Sequence, residues 1–257
     1  MKVAAYQAPL LAAGSIDVLR LLQERVAWCE AEGVSILCCP EAILGGLADY
    51  SESPARFAIR TDNGHLASVL ADLVSNTVTS VVGFTELSSN GAIYNAAAVF
   101  HRGRVIGLYR KLHPSIRRSV YAAGSQTPVF RVDELTFGIV ICNDSNYAEP
   151  ARLIAAQGAT ALFVPTNNGL PAQRAHAELV VEARNADIAR AFENRIWVIR
   201  ADVAGHNDEL MSDGSSEIVD PNGKIVRQAR LHSVDLLVAD IPTRRWHERS
   251  LRTTIES

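Results

Sequence analysis

An α/β layered domain with partly antiparallel sheets is the fold class this sequence predicts, and three observations carry the prediction. Short apolar runs alternate with helix-like stretches from end to end, the pattern of sheets covered by helices. Several adjacent runs are joined by short, turn-rich connections, which read as hairpins and therefore as antiparallel pairs. No Ser/Gly linker, charge block or low-complexity segment divides the 257 residues, so a single domain over 1–257 is expected.

The elements follow in order. KVAAYQA opens as a strand. A helical pattern runs from about Ser15, placed as an N-cap, to Glu32, and Gly33 ends it. VSILCCP is a short apolar run between turn signals, as expected of a strand buried on both faces. A helix from about His65 to Ser75 leads into the strand TSVVGFTEL. The runs AIYNAAAVF and VIGLYRK are joined by HRGR, and TPVFRV is joined to LTFGIVIC around Asp133 and Glu134; each pair reads as a hairpin. Helix EPARLIAAQ, strand TALFVPT and a long helix from about Ala172 to Asn194 come next. In that helix Ala175, Leu179, Ala183 and Ala186 recur at helical spacing, so a small-residue face is expected against a sheet. Strand IWVIRADV, hairpin SSEIVDPNGKIVRQA and strand VDLLVADI close the fold. The Arg-rich TRRWHERSLR is expected to be a solvated or subunit-contacting tail.

Composition narrows the partners. With 48% hydrophobic residues the chain can fill a sizeable core, and a formal charge of −3 gives no electrostatic reason to expect nucleic acid or an anionic membrane. No apolar run reaches the length of a membrane span. Gln7 and Pro9 interrupt the N-terminal apolar stretch, which reads as strand and loop rather than as a signal peptide. The four cysteines, Cys29, Cys38, Cys39 and Cys142, form no C-x-x-C pair. That spacing is neither a disulfide framework nor a zinc site, so a reducing, cytoplasmic setting with no metal is expected. His113 and His176 lack a partner at ligand spacing and read as structural or rim residues.

Three polar residues stand where apolar runs stop. Glu41 follows ILCCP, Lys111 ends VIGLYR and Cys142 ends FGIVI. Side chains leave a layered sheet toward a cleft at such carboxyl ends, so the three are expected to share one pocket. Singly, each has a plainer reading: Cys142 as a small core residue, Glu41 as a loop acid, Lys111 as a surface lysine. Together they permit a definite chemistry. A thiol with an ordinary pKa of about 8.5 is mostly protonated at neutral pH and needs a base or a nearby cation. Glu41 is placed to take its proton and later return it to a leaving amine. Lys111 is placed to favour the thiolate and then to stabilise an oxyanion, with the N–H of Asn143 as second donor. Asp144 follows too closely to favour a thiolate, because a like charge raises its pKa; capping a turn or holding a basic residue suits it better. Asn167 and Asn168, after ALFVP, are candidates for lining the pocket or for a turn. Cys38 and Cys39 read as core.

The blocks CCPEAILGG with Glu41, GLYRKLHP with Lys111 and FGIVICND with Cys142, supported by IYNAAAVF, FVPTNN and GSSEIVDPNGKIV, have the order and spacing of a known family. On them, and along nearly its whole length, the chain resembles the nitrilase superfamily of carbon–nitrogen hydrolases. The resemblance implies a four-layer α-β-β-α sandwich and a Glu–Lys–Cys catalytic set. It further implies hydrolysis of a small-molecule amide or nitrile through a cysteine thioester, no cofactor, and a homodimer or higher homo-oligomer. Asn143 and Asn167 are the oxyanion or substrate-binding groups expected beside the three.

One block departs from the family. Many members carry a second glutamate a few residues after the lysine, whereas KLHPSIRRSVYAAG has Arg117 and Arg118 there. Glu134, deep in an expected turn, is a poor substitute. That puts the proton inventory and substrate geometry in question. A small amide is the leading substrate, with a nitrile and an N-carbamoyl amide as alternatives that the residue set does not separate. The last requires a carboxylate-binding arginine, for which Arg117, Arg118 and Arg174 are candidates. A catalytically silent scaffold is the reading from another class, and the intact Glu41, Lys111 and Cys142 argue against it.

Overall fold

Successive side chains of a strand point to opposite faces, and here both faces are apolar, so each sheet must be covered twice. The structure, a computed structural model, describes residues 1–173 and 176–244. Strand β1 (Lys2–Pro9) leads through helix α1 (Asp17–Ala31) to β2 (Ile36–Cys38); short β3 (Ile59–Arg60) and helix α2 (His65–Leu70) precede β4 (Thr79–Leu87). Hairpins β5 (Ile93–His101)–β6 (Arg104–Arg110) and β7 (Val129–Val132)–β8 (Leu135–Ile139) follow. Helix α3 (Ala148–Ala156), β9 (Ala161–Pro165), helix α4 (His176–Asn194) and β10 (Trp197–Ala201) continue the chain. The last strands are β11 (Val203–His206), β12 (Met211–Ser212), β13 (Glu217–Val219), β14 (Ile225–Gln228) and β15 (Asp235–Asp240).

One sheet runs β12-β11-β1-β2-β4-β5-β6, with β15 beside β1 and β3 beside β4; the other runs β14-β13-β10-β9-β8-β7. Their facing sides form one core, in which Val3, Ala5, Ile36, Cys38 and Val81 pack with Phe137, Ile139, Phe163 and Ile199. The alternate residues Ala4, Tyr6, Leu37, Cys39 and Val82 pack instead with Val18, Leu22 and Val26 of α1 and Leu66 and Leu70 of α2. Beyond the second sheet, Leu162, Val164 and Val198 meet Ala151 and Ile154 of α3 and Ala191 of α4. The four layers of an α-β-β-α sandwich result, and the neighbours Cys38 and Cys39 fill two different cores.

Several boundaries differ from the sequence reading. Helix α1 starts at Asp17, whose N–H is accepted by Ser15 Oγ at 3.3 Å, so Ser15 acts one residue further out than an N-cap. Helix α2 stops at Leu70 and a 3-10 turn, Ala71–Leu73, completes the segment. Helix α4 begins at His176, and Ala175 lies outside the described residues. The buried face of α4 is not the small-residue stripe. Leu179 and Ala186 are half-buried, whereas Val180, Ala183, Asp187, Arg190 and Ala191 are buried. Polar partners explain this: Asp187 binds Arg200 and Arg190 donates to the Ser145 carbonyl. IWVIRADV is two strands rather than one. Strand β10 belongs to the second sheet and β11 to the first, and the chain changes sheet at Asp202. Residues 245–252 of the Arg-rich tail, and 253–257 after it, lie outside the described residues. Among the described residues no helix is long and apolar enough to cross a membrane.

Candidate active site

Backbone geometry sets the three chemical residues in place. After β2, a left-handed Ala42 (φ 46°) turns the chain and leaves Glu41 buried. This turn crosses β4 at Gly83, where a Cβ would stand 2.3 Å from the Pro40 carbonyl oxygen, so only glycine permits the approach. Lys111 follows β6, its N–H bonded to the Asn95 carbonyl at 2.8 Å. Cys142 opens a 3-10 turn, Cys142–Asn146, with φ 47°. For a residue other than glycine this conformation costs of order 1–3 kcal/mol and persists where the surroundings enforce it. Asp144 supplies the enforcement. Its Oδ2 accepts from the Ile141 N–H (3.1 Å) and the Tyr109 hydroxyl (2.7 Å), and its Oδ1 from the His113 N–H (2.7 Å). Asp144 thus caps the turn and ties it to the segment after Lys111. Burial raises the pKa of its carboxyl, against the pull of Lys111 and of the donors.

Glu41, Lys111 and Cys142 line one cavity of about 280 Å³. Lys111 Nζ donates to Glu41 Oε1 at 2.6 Å and to Ser115 Oγ at 3.0 Å. Asn95 Nδ2 donates to the same Oε1 (2.6 Å) and the Asn167 N–H to Oε2 (2.9 Å), so both carboxylate oxygens are held. An ammonium has three N–H donors; one remains beyond Glu41 and Ser115. Burial alone would lower the Lys111 pKa, but attraction to Glu41, Cys142 and Asp144 outweighs it and the net shift is upward. The lysine stays charged.

The thiol does not follow expectation. Burial first and Glu41 second push Cys142 up to about 12, and Lys111 and Arg200 offset this only in part. Lys111 therefore does not make a resting thiolate. Glu41 already neutralises much of its field, and desolvating a new anion costs more than the remainder returns.

The other expected residues sort by contact. The Asn143 side chain donates to the His113 carbonyl (3.0 Å), while its backbone N–H lies in the first turn of the 3-10 segment, where donors lack helical partners. Asn167 is tied to Glu41 through its N–H, and through Nδ2 to the Glu41 carbonyl at 3.4 Å. Arg117 and Arg118 are exposed and are not among the cavity-lining residues. Arg174 lies outside the described residues, as does the side chain of His176. Glu134 accepts from Thr243 Oγ1 at 3.3 Å in the β7–β8 turn, away from the cavity lining. The cavity carboxylates besides Glu41 are Asp49 and Glu182, from other segments. His113 stacks on Tyr147 with ring centroids 3.8 Å apart. Among the described residues no three His, Cys, Asp or Glu side chains are grouped so as to hold a metal ion.

Sequence reasoning missed Asn95, Ser115, Arg200 and Asp202. Asn95 was detectable as the lone amide inside IYNAAAVF, and Arg200 and Asp202 as isolated charges inside IWVIRADV. Arg200 is 1% exposed and lines the cavity, but its guanidinium is committed to Asp187, Thr166 and Ser145.

Comparison with known proteins bears on this site. The model of the family described as carbon-nitrogen hydrolase matches residues 2–249. A protein of Pseudomonas protegens described as a hydrolase in the pqqF 5' region is 32% identical over 239 residues, covering 90% of this chain and 79% of that protein. A nitrilase of Pyrococcus abyssi is 28% identical over 82% of this chain and 78% of its own length. The glutamine-dependent NAD(+) synthetase of Thermotoga maritima is 25% identical over 88% of this chain, which spans only 38% of that protein. Among solved structures, a glutamate-to-glutamine mutant of the amidase from Nesterenkonia sp. AN1 superposes with a TM-score of 0.74 at 21% identity, over 99% of this chain and 98% of that one; its active-site cysteine carries a Michael adduct of acrylamide.

Proposed function

The chain belongs to the carbon-nitrogen hydrolase family, within the nitrilase superfamily, and we propose that it hydrolyses a small linear amide through a thioester on Cys142. The observation that carries this reading is the shared cavity, where a buried acid, an ammonium with a spare N–H and a strained cysteine line one wall system.

Because the resting sulfur is a thiol, the reaction begins with a proton transfer. Glu41 takes the Cys142 proton as the sulfur attacks the carbonyl carbon. Negative charge gathers on the carbonyl oxygen, and the free N–H of Lys111 and the N–H of Asn143 receive it. Glu41 then protonates the departing nitrogen, leaving an acyl group on Cys142. Water, deprotonated by Glu41, attacks the thioester; the acid leaves and the thiol is restored. A nitrile would enter the same thioester through a thioimidate, so this residue set serves either substrate. An N-carbamoyl amino acid fits less well, because Arg200, the arginine lining the cavity among the described residues, is clamped to Asp187 and has four of its five N–H donors committed, so it has no pair left for a bidentate grip on a substrate carboxylate. The same reading carries a homo-oligomer in the cytoplasm, and light scattering tests the assembly.

Intact-mass measurement after incubation with a panel of small amides and nitriles is the direct test. The expected result is an acyl adduct on Cys142 in the wild type, with neither adduct nor turnover in Cys142→Ala. Turnover that survives Cys142→Ala removes the covalent mechanism.

A further inference from the structure

We propose that Asn168, aimed by Asp202, is a positioning residue for Cys142: it holds the resting thiol by its proton until Glu41 takes that proton. The inference rests on reading Cys142 as the nucleophile. Among the described residues, the hydrogen bond of the Cys142 thiol goes to Asn168 Oδ1, at 3.6 Å.

The two ends of an asparagine amide are told apart by their partners, and here the partners decide. Asn168 Nδ2 donates to Asp202 Oδ2 and to Ser215 Oγ, both at 3.1 Å, and the Asn168 N–H donates to Asp202 Oδ1 at 3.0 Å. Ser215 Oγ in turn donates to Asp202 Oδ2 at 2.6 Å, so its proton is committed and its lone pairs face the amide. With the NH₂ end satisfied, the oxygen must face the sulfur. Asp202 is itself fully buried, and its Oδ1 also accepts the Val203 N–H at 2.8 Å, where the chain crosses between sheets.

An amide oxygen accepts a proton's hydrogen bond but is too weak a base to remove the proton. Asn168 therefore favours the thiol over the thiolate and fixes the direction of the S–H bond. Glu41 has both oxygens engaged by other donors and makes no hydrogen bond to the thiol. Before an amide binds, the sulfur is pre-aimed yet kept in the form that resists oxidants and thiol reagents. Once an amide is bound, the S–H···O bond breaks, the proton passes to Glu41 and the sulfur pair forms the C–S bond.

The test uses methyl methanethiosulfonate, with which a thiolate forms a methyl disulfide and expels methanesulfinate, read at Cys142 by peptide mass. In Asn168→Ala, Cys142 is expected to react about three- to tenfold faster at pH 8, with its pH profile moved downward, because an acceptor that stabilises the neutral thiol is gone. Hydrolysis of propionamide is expected to fall about tenfold in kcat with little change in KM, because the sulfur is less well aimed. Ser215→Ala removes one of the two acceptors of Nδ2 and should move both readouts the same way by less; it decides the matter if Asn168→Ala does not fold. Reactivity that is unchanged or slower in these variants overturns the proposal and leaves Asn168 a structural residue. An active Cys142→Ala would instead overturn the nucleophile assignment itself, so the two failures are distinguishable.

Discussion

Two buried ion pairs flank the cavity, Lys111–Glu41 at 2.6 Å and Arg200–Asp187 at 2.5 Å. They differ in how the fold grips the cation. Arg200 spends donors on both oxygens of Asp187, on Thr166 Oγ1 (2.6 Å) and on Ser145 Oγ (2.8 Å), which nearly exhausts a guanidinium. Lys111 reaches Glu41 and Ser115 and keeps an N–H in reserve beside the cavity. A cation clamped to both oxygens of its partner is a rigid wall. A cation that grips one oxygen and can turn a spare N–H is able to meet a charge that appears during a reaction. Neither burial nor the number of spare N–H groups, one on each cation, separates the two; the planar two-point clamp on Arg200 against the single-point grip of Lys111 does.

The largest expected effect is on turnover. Glu41→Gln with Lys111→Met removes both charges together and should cut kcat by more than about 10³-fold, while urea unfolding shows a folded protein. Near-wild-type kcat would break the comparison. Next in size is stability at the other pair. Asp187→Asn strands the Arg200 charge and should cost about 3–5 kcal/mol in urea unfolding. The double variant Asp187→Leu, Arg200→Met should recover much of that loss, and if it does not, the pair is more than a wall.

A pH effect comes third. Burial, and after it the charge of Asp187, raises Glu217 from 4.5 to about 7, against Arg200 and Arg184. The folded state keeps this proton up to about pH 7, whereas the unfolded chain releases it near 4.5. Between those values the native protein binds the extra proton, so stability falls as pH rises and levels off above 7. Glu217→Gln should therefore raise the Tm relative to wild type more at pH 8 than at pH 5. A constant difference would mean that Glu217 does not titrate in this window. The smallest effect belongs to the exposed Arg152–Glu149 pair at 2.8 Å, where Arg152→Ala should leave the Tm unchanged within error.

Much of the site was legible because strand ends are local features. Glu41, Lys111 and Cys142 each terminate an apolar run, and their separate blocks have a spacing that three unrelated residues would not share. The resting state of the sulfur was not legible. From the sequence, a lysine nearby argues for a thiolate; in the structure the same lysine is spent on Glu41, and burial takes Cys142 the other way. Asn168 was visible as a strand-end amide, but not which of its ends faces the sulfur, since Asp202 and Ser215 decide that from 34 and 47 residues away. The change of sheet at Asp202 was hidden for another reason. Val198, Ile199, Ala201 and Val203 are all buried, and so are the two charges between them, Arg200 and Asp202, so burial does not mark the break.

The sequence by itself determined the layers and the three chemical positions, because alternation and strand termination are properties of a few consecutive residues. Tertiary structure alone decided which oxygen meets the thiol, how tightly each cation is clamped and which protonation state Cys142 rests in. Those depend on distance and dielectric between groups that the chain holds far apart, and such energies follow separation in space rather than along the backbone.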